Sequence, residues 1–464
     1  MAEIPAQPVY AIAGATGFVG SRLAKSLGVS ARVIGLSRSS SKAPGNGVAE
    51  WRGCDLFSLR DAEAALAGVD IAYYLVHSMM PSAHLTQGSF ENLDLIAADN
   101  FARAAKHCGV KQIIYLGGLI PEGVKPNEPL SDHLRSRLEV QHTLGAYGVP
   151  LTSLRAGIVL GYEGSSFQIL YRLVKRLPMM LCPAWTQTKT QPIYCDDAVA
   201  LLAYCAGRTS TYGQHYDIGG PDVVTYRQMI ESLARLMGVH RILLSVRFFS
   251  PGLSRLWVTV ITGAPKALVA PLVQSLLHPM IAGDRRLQEE AGILGLDLET
   301  ALRRTLESKK AQPAPLAFAG GAKDSSEREV RSVQRLPLPA GKDAQWVSEE
   351  YLRWLPNRFF PFRVEVIADR ATFYLRLFNV PLLILEYSEE RSTPERALFY
   401  IIGGKLAKTM RRGRLEFRES WNRQFLLAAI HEFRPSLPWR IYSLTQAKAH
   451  LYVMWRFGRW LLKC

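Results

Sequence analysis

The chain has 464 residues, a formal net charge of +16, and 48% apolar against 21% charged residues. That length exceeds one ordinary domain, so two or three are expected, and the composition is that of a globular protein with ample material for a core. The charge favours anionic partners, and six cysteines with no C-x-x-C pair and no metal spacing with histidine argue against a disulfide scaffold or a metal site and for a reducing, cytoplasmic setting.

The first residues, "MAEIPAQP", lack the basic start and apolar run of a secretory signal, and Cys464 is the last residue, so it is no prenylation box. "VYAIAGATGFVG" (9–20) then reads as a strand running into a glycine turn that opens a helix. The spacing Gly14, Gly17, Gly20 is that of a dinucleotide cradle. The first glycine turns the chain, the second lets the backbone approach a pyrophosphate, and the third lets the helix pack on the sheet. Free N–H groups at the helix start would hold the phosphates. The motif is weak alone, but a strand before it and a helix after it are the context it requires.

The second strand, "ARVIGLSR", usually ends in an acid that accepts from a ribose hydroxyl; here Arg38 stands there, with Ser37, Ser39 and Lys42 around it. A guanidinium attracts a 2′-phosphate that a carboxylate would repel, so NADP(H) is favoured over NAD(H). Helix "LRDAEAALAGVD", strand "IAYYLVHS", helix "NLDLIAADNFARAAKHCGV" and strand "KQIIYLGGL" continue the alternation, which predicts a parallel sheet with helices on both faces. Further helical and strand-like runs follow as far as "TYRQMIESLARLMG".

The expected organisation is α/β. Residues 1–308 form a Rossmann-like, doubly wound parallel sheet whose later part, about 160–305, builds a helical lid. A linker over 309–342, rich in Ala, Gly, Pro, Ser and charge, leads to an α+β domain over 343–464. The most apolar long stretch, 256–283, is interrupted by Lys266 and prolines and is too short to span a bilayer. The last domain reads as a helix, six strand-like runs and a long final helix from "WRIYSL" to the end. Residues 341–464 hold 21 Lys/Arg against 12 Asp/Glu. On the final helix, Arg440, Lys448, Arg456, Arg459 and Lys463 share about half the circumference, and Ile441, Leu444, Leu451, Val453, Phe457, Trp460 and Leu461 occupy the rest. This helix either closes the sheet or lies on an anionic membrane as a peripheral contact. Nucleic acid is the weaker candidate, because no recognised motif accompanies the charge.

Together "AGATGFVGSRLAKSL", "IIYLGGL", "QPIYCDDAV", "HLRSR" and "DIGGPDVVTYRQMI" resemble the atypical short-chain dehydrogenase/reductases, in particular the NmrA-like NAD(P)-binding group of epimerases and oxidoreductases. They are similar to a subgroup with a C-terminal domain of unknown function, DUF2867. The strands and final helix of the last domain also resemble a START-like helix-grip pocket.

The resemblance implies that Thr16, Phe18 and Val19 belong to the glycine turn, that Asp55 lies by the adenine amino group, and that Leu75, Val76 and His77 line the adenosine side. It places Asp197 near the substrate; from the residues alone, Asp197 reads as a helix N-cap. It also implies a catalytic Ser, and a Tyr with a Lys four residues later. Here the Ser position falls at Gly117 or Gly118, with Ser131 and Ser136 as possible substitutes, and His133 and Arg137 occupy the Tyr and Lys positions. Histidine can shuttle a proton near neutrality; arginine can hold a ribose or phosphate but cannot relay a proton. Two functions follow: an NADP(H)-dependent oxidoreductase on an apolar carbonyl or alcohol, or a non-catalytic NADP(H)-binding redox sensor or assembly protein.

Overall fold

The computed structural model describes residues 7–38, 42–77, 85–121, 130–246, 258–311, 329–408 and 412–464. Ser39 of the sequence reading lies outside these. The chain divides into two compact units, Met1–Met79 with Asp94–Gly320, and Met80–Leu93 with Gly321–Cys464.

The first unit is built on a seven-stranded, all-parallel sheet. Its order runs His215–Ile218, Leu151–Ala156, Gln112–Gly118, Ile71–Tyr74, Val9–Ala13, Arg32–Ser37, Glu50–Gly53. Apolar side chains alternate to the two faces. Ala11, Ala13, Ile34, Tyr74 and Tyr115 go to one core, and Ile12, Val33, Tyr73, Ile114 and Leu154 to the other. Both faces are covered by helices, as a parallel sheet requires. The chain reverses direction across the sheet between Val9–Ala13 and Ile71–Tyr74, so the carboxyl ends of these strands open the crevice where doubly wound sheets bind ligands. Helices Ser165–Arg176, Tyr226–Leu236 and Leu298–Ala311 pack into a further apolar cluster.

The second unit is an eight-stranded sheet in the order Phe362–Ile367, Arg370–Leu375, Val380–Tyr387, Arg396–Gly403, Arg414–Glu419, Phe425–Phe433, Val330–Pro337, Leu85–Gln87, antiparallel except for the last pair. Helices Ala344–Arg358 and Gln446–Leu461 pack on its apolar face. Tyr351 meets Phe417 of the sheet at 5.5 Å and Phe457 of the last helix at 5.2 Å between ring centroids. Asp343 caps the first of these helices, accepting from the Trp346 N–H at 2.8 Å. On the other face Glu416, 1% exposed, accepts from Arg396 and Arg418 at 2.9 and 3.0 Å and lies 3.2 Å from His431 Nε2.

Four expectations change. Val330–Pro337, read as linker, is a strand with Val330, Val333 and Leu336 buried; a bulge between Val330 and Ser332 breaks the period-2 signal. Residues 80–93, read within the N-terminal domain, group with the second unit, where Leu85–Gln87 pairs with Val330–Ser332. The final helix is two, Trp439–Leu444 and Gln446–Leu461, because Thr445 leaves helical geometry (φ −116°, ψ −82°). Asp197 is not an N-cap: Tyr194 holds that position, and the Asp197 carboxylate accepts from the Leu296 N–H at 2.9 Å. Among the described residues no helix is long and apolar enough to cross a membrane.

Candidate functional site

The glycine turn is shaped by close backbone approaches. Gly14 has φ +95°, and a Cβ there would lie 2.8 Å from the Leu75 carbonyl oxygen. The Leu75 N–H donates to Ala13 O at 2.9 Å, which draws Leu75, Val76 and His77 alongside the turn. A Cβ on Gly20 would stand 2.1 Å from Gly14 O, so only glycine lets the helix Phe18–Leu27 begin this close to the strand. That helix has no acid in its first turn and no side-chain cap, and Thr16 and Gly17 are exposed. Its N–H groups are thus arranged for an anion. The Phe18 ring lies where a Cβ on Gly161 would be, and Val19 is half-buried against the core. Arg22 bridges to Glu163 and Asp196 at 2.9 and 3.1 Å, fastening the helix to later segments.

Arg38 is exposed directly after the strand Arg32–Ser37. Ser37 O accepts from the Cys54 N–H at 2.8 Å, so the second and third strands end together and Asp55 falls beside that end. Asp55 Oδ1 accepts from the Phe57 N–H at 3.1 Å. These residues fit a dinucleotide: a Cβ-free cradle, an anion-ready helix end and a cation at the end of the second strand.

Two strands along the sheet, roughly 10 Å away at about 4.8 Å per strand, Gln112–Gly118 ends at Gly118. The helix Asp132–Gly145 starts beside it, capped by Ser131, whose Oγ accepts from the Leu134 N–H at 3.3 Å and lies 3.2 Å from Ser275 Oγ. Burial, with the Arg137 guanidinium close by, pushes the His133 imidazole down to about 3, so it is neutral at physiological pH. Arg137, one turn on and 7% exposed, gives its Nη2 to Asp94 Oδ2, and Ser136 Oγ donates to the same oxygen at 3.5 Å. The Tyr115 hydroxyl donates to Arg137 O at 3.4 Å. Asp94 overcomes the cost of burial and holds Arg137 firmly charged. Arg137 therefore sits beneath Gly118 as half of a buried pair, and Ser131 and Ser136 serve a cap and that pair.

Gly118 and His133 form one end of a cavity of about 150 Å³ whose other walls include Phe167, Trp185, Tyr226, Met229 and Leu276. Burial pushes the Tyr226 phenol up to about 12. Trp185 and Tyr226 come from segments far along the chain from the glycine turn, and nothing in their local pattern marks them. Among the described residues no His, Cys, Asp and Glu group could hold a metal ion, and all six cysteines are free thiols.

The first unit has the fold of NAD(P)-binding epimerases and reductases. Residues 10–219 match the NAD dependent epimerase/dehydratase family. The auxiliary protein GraX of Staphylococcus aureus is 34% identical over 146 residues, covering 31% of this chain and 43% of that protein. The mitochondrial NADH dehydrogenase [ubiquinone] 1 alpha subcomplex subunit 9 of Arabidopsis thaliana is 27% identical over 233 residues, 48% and 56% of the two chains. The chain thus spans about half the length of these relatives. Among solved structures, the NADPH-dependent quinone oxidoreductase of Escherichia coli, complexed with NADPH, superposes with a TM-score of 0.51 at 20% identity, over 64% of this chain and 99% of that one. The triphenylmethane reductase of Citrobacter sp. does so with a TM-score of 0.50 at 17% identity, over 65% and 99%. These likenesses establish a shared fold.

Proposed function

We propose that the N-terminal unit is an NADP(H)-dependent reductase of an apolar carbonyl compound. The observation that carries this reading is the cavity: its walls are apolar, and it ends at Gly118 and His133, at the carboxyl end of the strand Gln112–Gly118. Gly14, Thr16, Gly17, Phe18, Val19 and Gly20 would hold the pyrophosphate, Arg38 the 2′-phosphate, and Asp55 with Leu75, Val76 and His77 the adenosine. The bound nicotinamide supplies a hydride. His133, neutral, would donate a ring N–H hydrogen bond to the carbonyl oxygen and polarise it, and the alkoxide left by hydride transfer would take its proton from solvent; Arg137 holds the helix, and burial with the Arg137 charge close by keeps the imidazole unprotonated. Stopped-flow NADPH oxidation against apolar aldehydes, ketones and quinones tests this. The parent should turn over at least one, and His133→Ala should lower kcat by about 10²-fold or more. Equal turnover in both removes His133 from the mechanism.

A second reading, an NADP(H)-binding protein without turnover, is favoured by the engagement of Arg137 with Asp94. Tight NADPH binding with no oxidation by any carbonyl would select it. The C-terminal unit would also touch anionic membrane. Ile441, Leu444, Leu451, Tyr452, Trp455 and Leu462 are exposed beside Arg440, Lys448, Arg456, Arg459 and Lys463, the mixture an interfacial helix uses. Co-sedimentation with anionic but not neutral vesicles at low salt is expected, and its absence refutes that contact.

A further inference from the structure

The second unit encloses a cavity of its own, of about 150 Å³, between the apolar face of its sheet and the helices Ala344–Arg358, Trp439–Leu444 and Gln446–Leu461. Leu355, Phe373, Leu385, Ile401, Leu415 and Phe433 line most of it. An apolar cavity of this size accepts a molecule of about benzene's bulk. One part of the wall differs. Gln446 and His450 lie one turn apart on the last helix, and the Gln87 amide donates to Ala447 O at 3.0 Å, which fixes Gln87 on the same turn. All three line the cavity, and Gln87 Oε1, Gln446 Oε1 and His450 Nε2 are buried with no hydrogen-bond partner among the described residues. Native proteins rarely leave buried polar atoms unmet, and three on residues that line one cavity, two from one helical turn and one from the strand bonded to it, mark a place for a polar ligand group.

We infer that this cavity is a binding site for a neutral, hydroxyl-bearing apolar molecule, an alcohol or phenol, whose O–H donates to the amide oxygen of Gln446 or Gln87 and whose oxygen accepts from the Nε2–H tautomer of His450. The chemistry selects the class. Two of the three atoms are amide oxygens, which only accept, so the ligand must donate. No lysine or arginine is among the described lining residues, and burial holds the His450 imidazole down to about 4, so a carboxylate or phosphate would enter without a counter-charge. The apolar remainder of the wall accounts for the body of the ligand. The inference concerns the second unit and does not depend on turnover in the first.

The test uses the full-length chain and isothermal titration calorimetry. Phenol should bind with a dissociation constant at least about tenfold below that of benzoate at pH 7.5, a discrimination that one well-met hydrogen bond supplies. Gln446→Leu should close most of that gap. Leu383→Trp, which projects bulk into the cavity, should abolish phenol binding, while Met229→Trp in the N-terminal cavity should leave it intact. Because Leu383→Trp could itself unfold the unit, a crystal soaked with 4-bromophenol gives an independent readout, with bromine anomalous density expected against Leu385 and Ile401. Equal affinity for phenol and benzoate, phenol binding lost with Met229→Trp, or bromine elsewhere in the molecule each overturn the inference.

Discussion

Replacing Gly20 with Ala tests the cradle most directly. The added Cβ would lie 2.1 Å from Gly14 O, 2.7 Å from Gly14 C and 3.0 Å from Ala15 Cα, whereas ordinary contact begins at 3.4 Å. All three are backbone atoms, so no rotamer change relieves the clash; helix start and strand end must part by about 1 Å. Overpacking of this kind costs about 1–3 kcal/mol, which at about 2–4 °C per kcal/mol for a large domain lowers the melting temperature of the N-terminal unit by roughly 2–12 °C. The same displacement moves the helix N–H groups away from the pyrophosphate, and a shift of about 1 Å costs on the order of 10²-fold in a positioned interaction. The expected result is a dissociation constant for NADPH about 100-fold above the parent's, read by NADPH fluorescence or calorimetry. Gly109→Ala is the control. Its φ of +71° makes alanine strained, but a Cβ there meets nothing within 4 Å, so stability should fall modestly and cofactor affinity stay unchanged. NADPH affinity within threefold of the parent in Gly20→Ala, with unchanged melting, would refute the steric reasoning.

Three further outcomes follow from charge. Arg38→Ala should weaken NADPH binding by about 10- to 100-fold, the value of a charge-assisted bond to phosphate, and alter NADH affinity by less than about twofold; equal effects on both cofactors would remove Arg38 from the 2′-phosphate. Asp94→Ala strands the buried Arg137 guanidinium and should cost about 3–5 kcal/mol in urea unfolding, much of it restored by adding Arg137→Met; a loss under about 1 kcal/mol would mean that water reaches the pair. Burial holds His431 down to about 4, against about 6.5 in an unfolded chain. A depressed folded-state value means that its full stabilising contribution is present above pH 6.5 and is lost as pH falls toward 4, about 3 kcal/mol in all. Glu416, whose neighbouring arginines hold it well below the usual carboxylate range, titrates beneath that window and cannot produce the slope. Urea midpoints of the second unit should therefore drop between pH 6.5 and 4, and His431→Gln should flatten part of the drop, His450 acting in the same direction.

The parts of the fold legible in the sequence are those set by local rules. Val9–Ala13, the glycine turn and Phe18–Leu27 follow one another within 19 residues, and each glycine answers a steric demand from a near neighbour in the chain or from Leu75. The parallel sheet was legible because its apolar runs alternate with helical ones. Val330–Pro337 was not: its bulge hides the alternation, and Arg331 and Ser332, buried within it, carry a polar signal. Leu85–Gln87 is three residues long and exists only through its distant partner strand. The final helix carries apolar residues on two faces. Composition alone could not tell that Phe457 and Leu461 pack inward while Ile441, Leu444 and Leu451 stay exposed. Asp94 lies 43 residues before Arg137, so nothing local announces that the arginine already has its counter-ion.

That counter-ion bears on how the replaced Tyr and Lys positions could still work together. In the family the chain resembles, a lysine near a tyrosine lowers the pKa of its neighbour. Burial depresses His133 most, and Arg137 adds to it in the same direction; because Arg137 is 7% exposed and fixed by Asp94, its charge neither moves nor titrates. The consequence differs with the neighbour. A tyrosine so placed becomes a readier base, whereas a histidine is driven out of its protonated form and left as a neutral N–H donor. On the proposed reading, reduction should then be nearly independent of pH between 5 and 8, where an imidazolium acid would lose activity with rising pH. A rate that falls tenfold per unit above pH 6 would return the proton to His133 and leave Arg137 without this role.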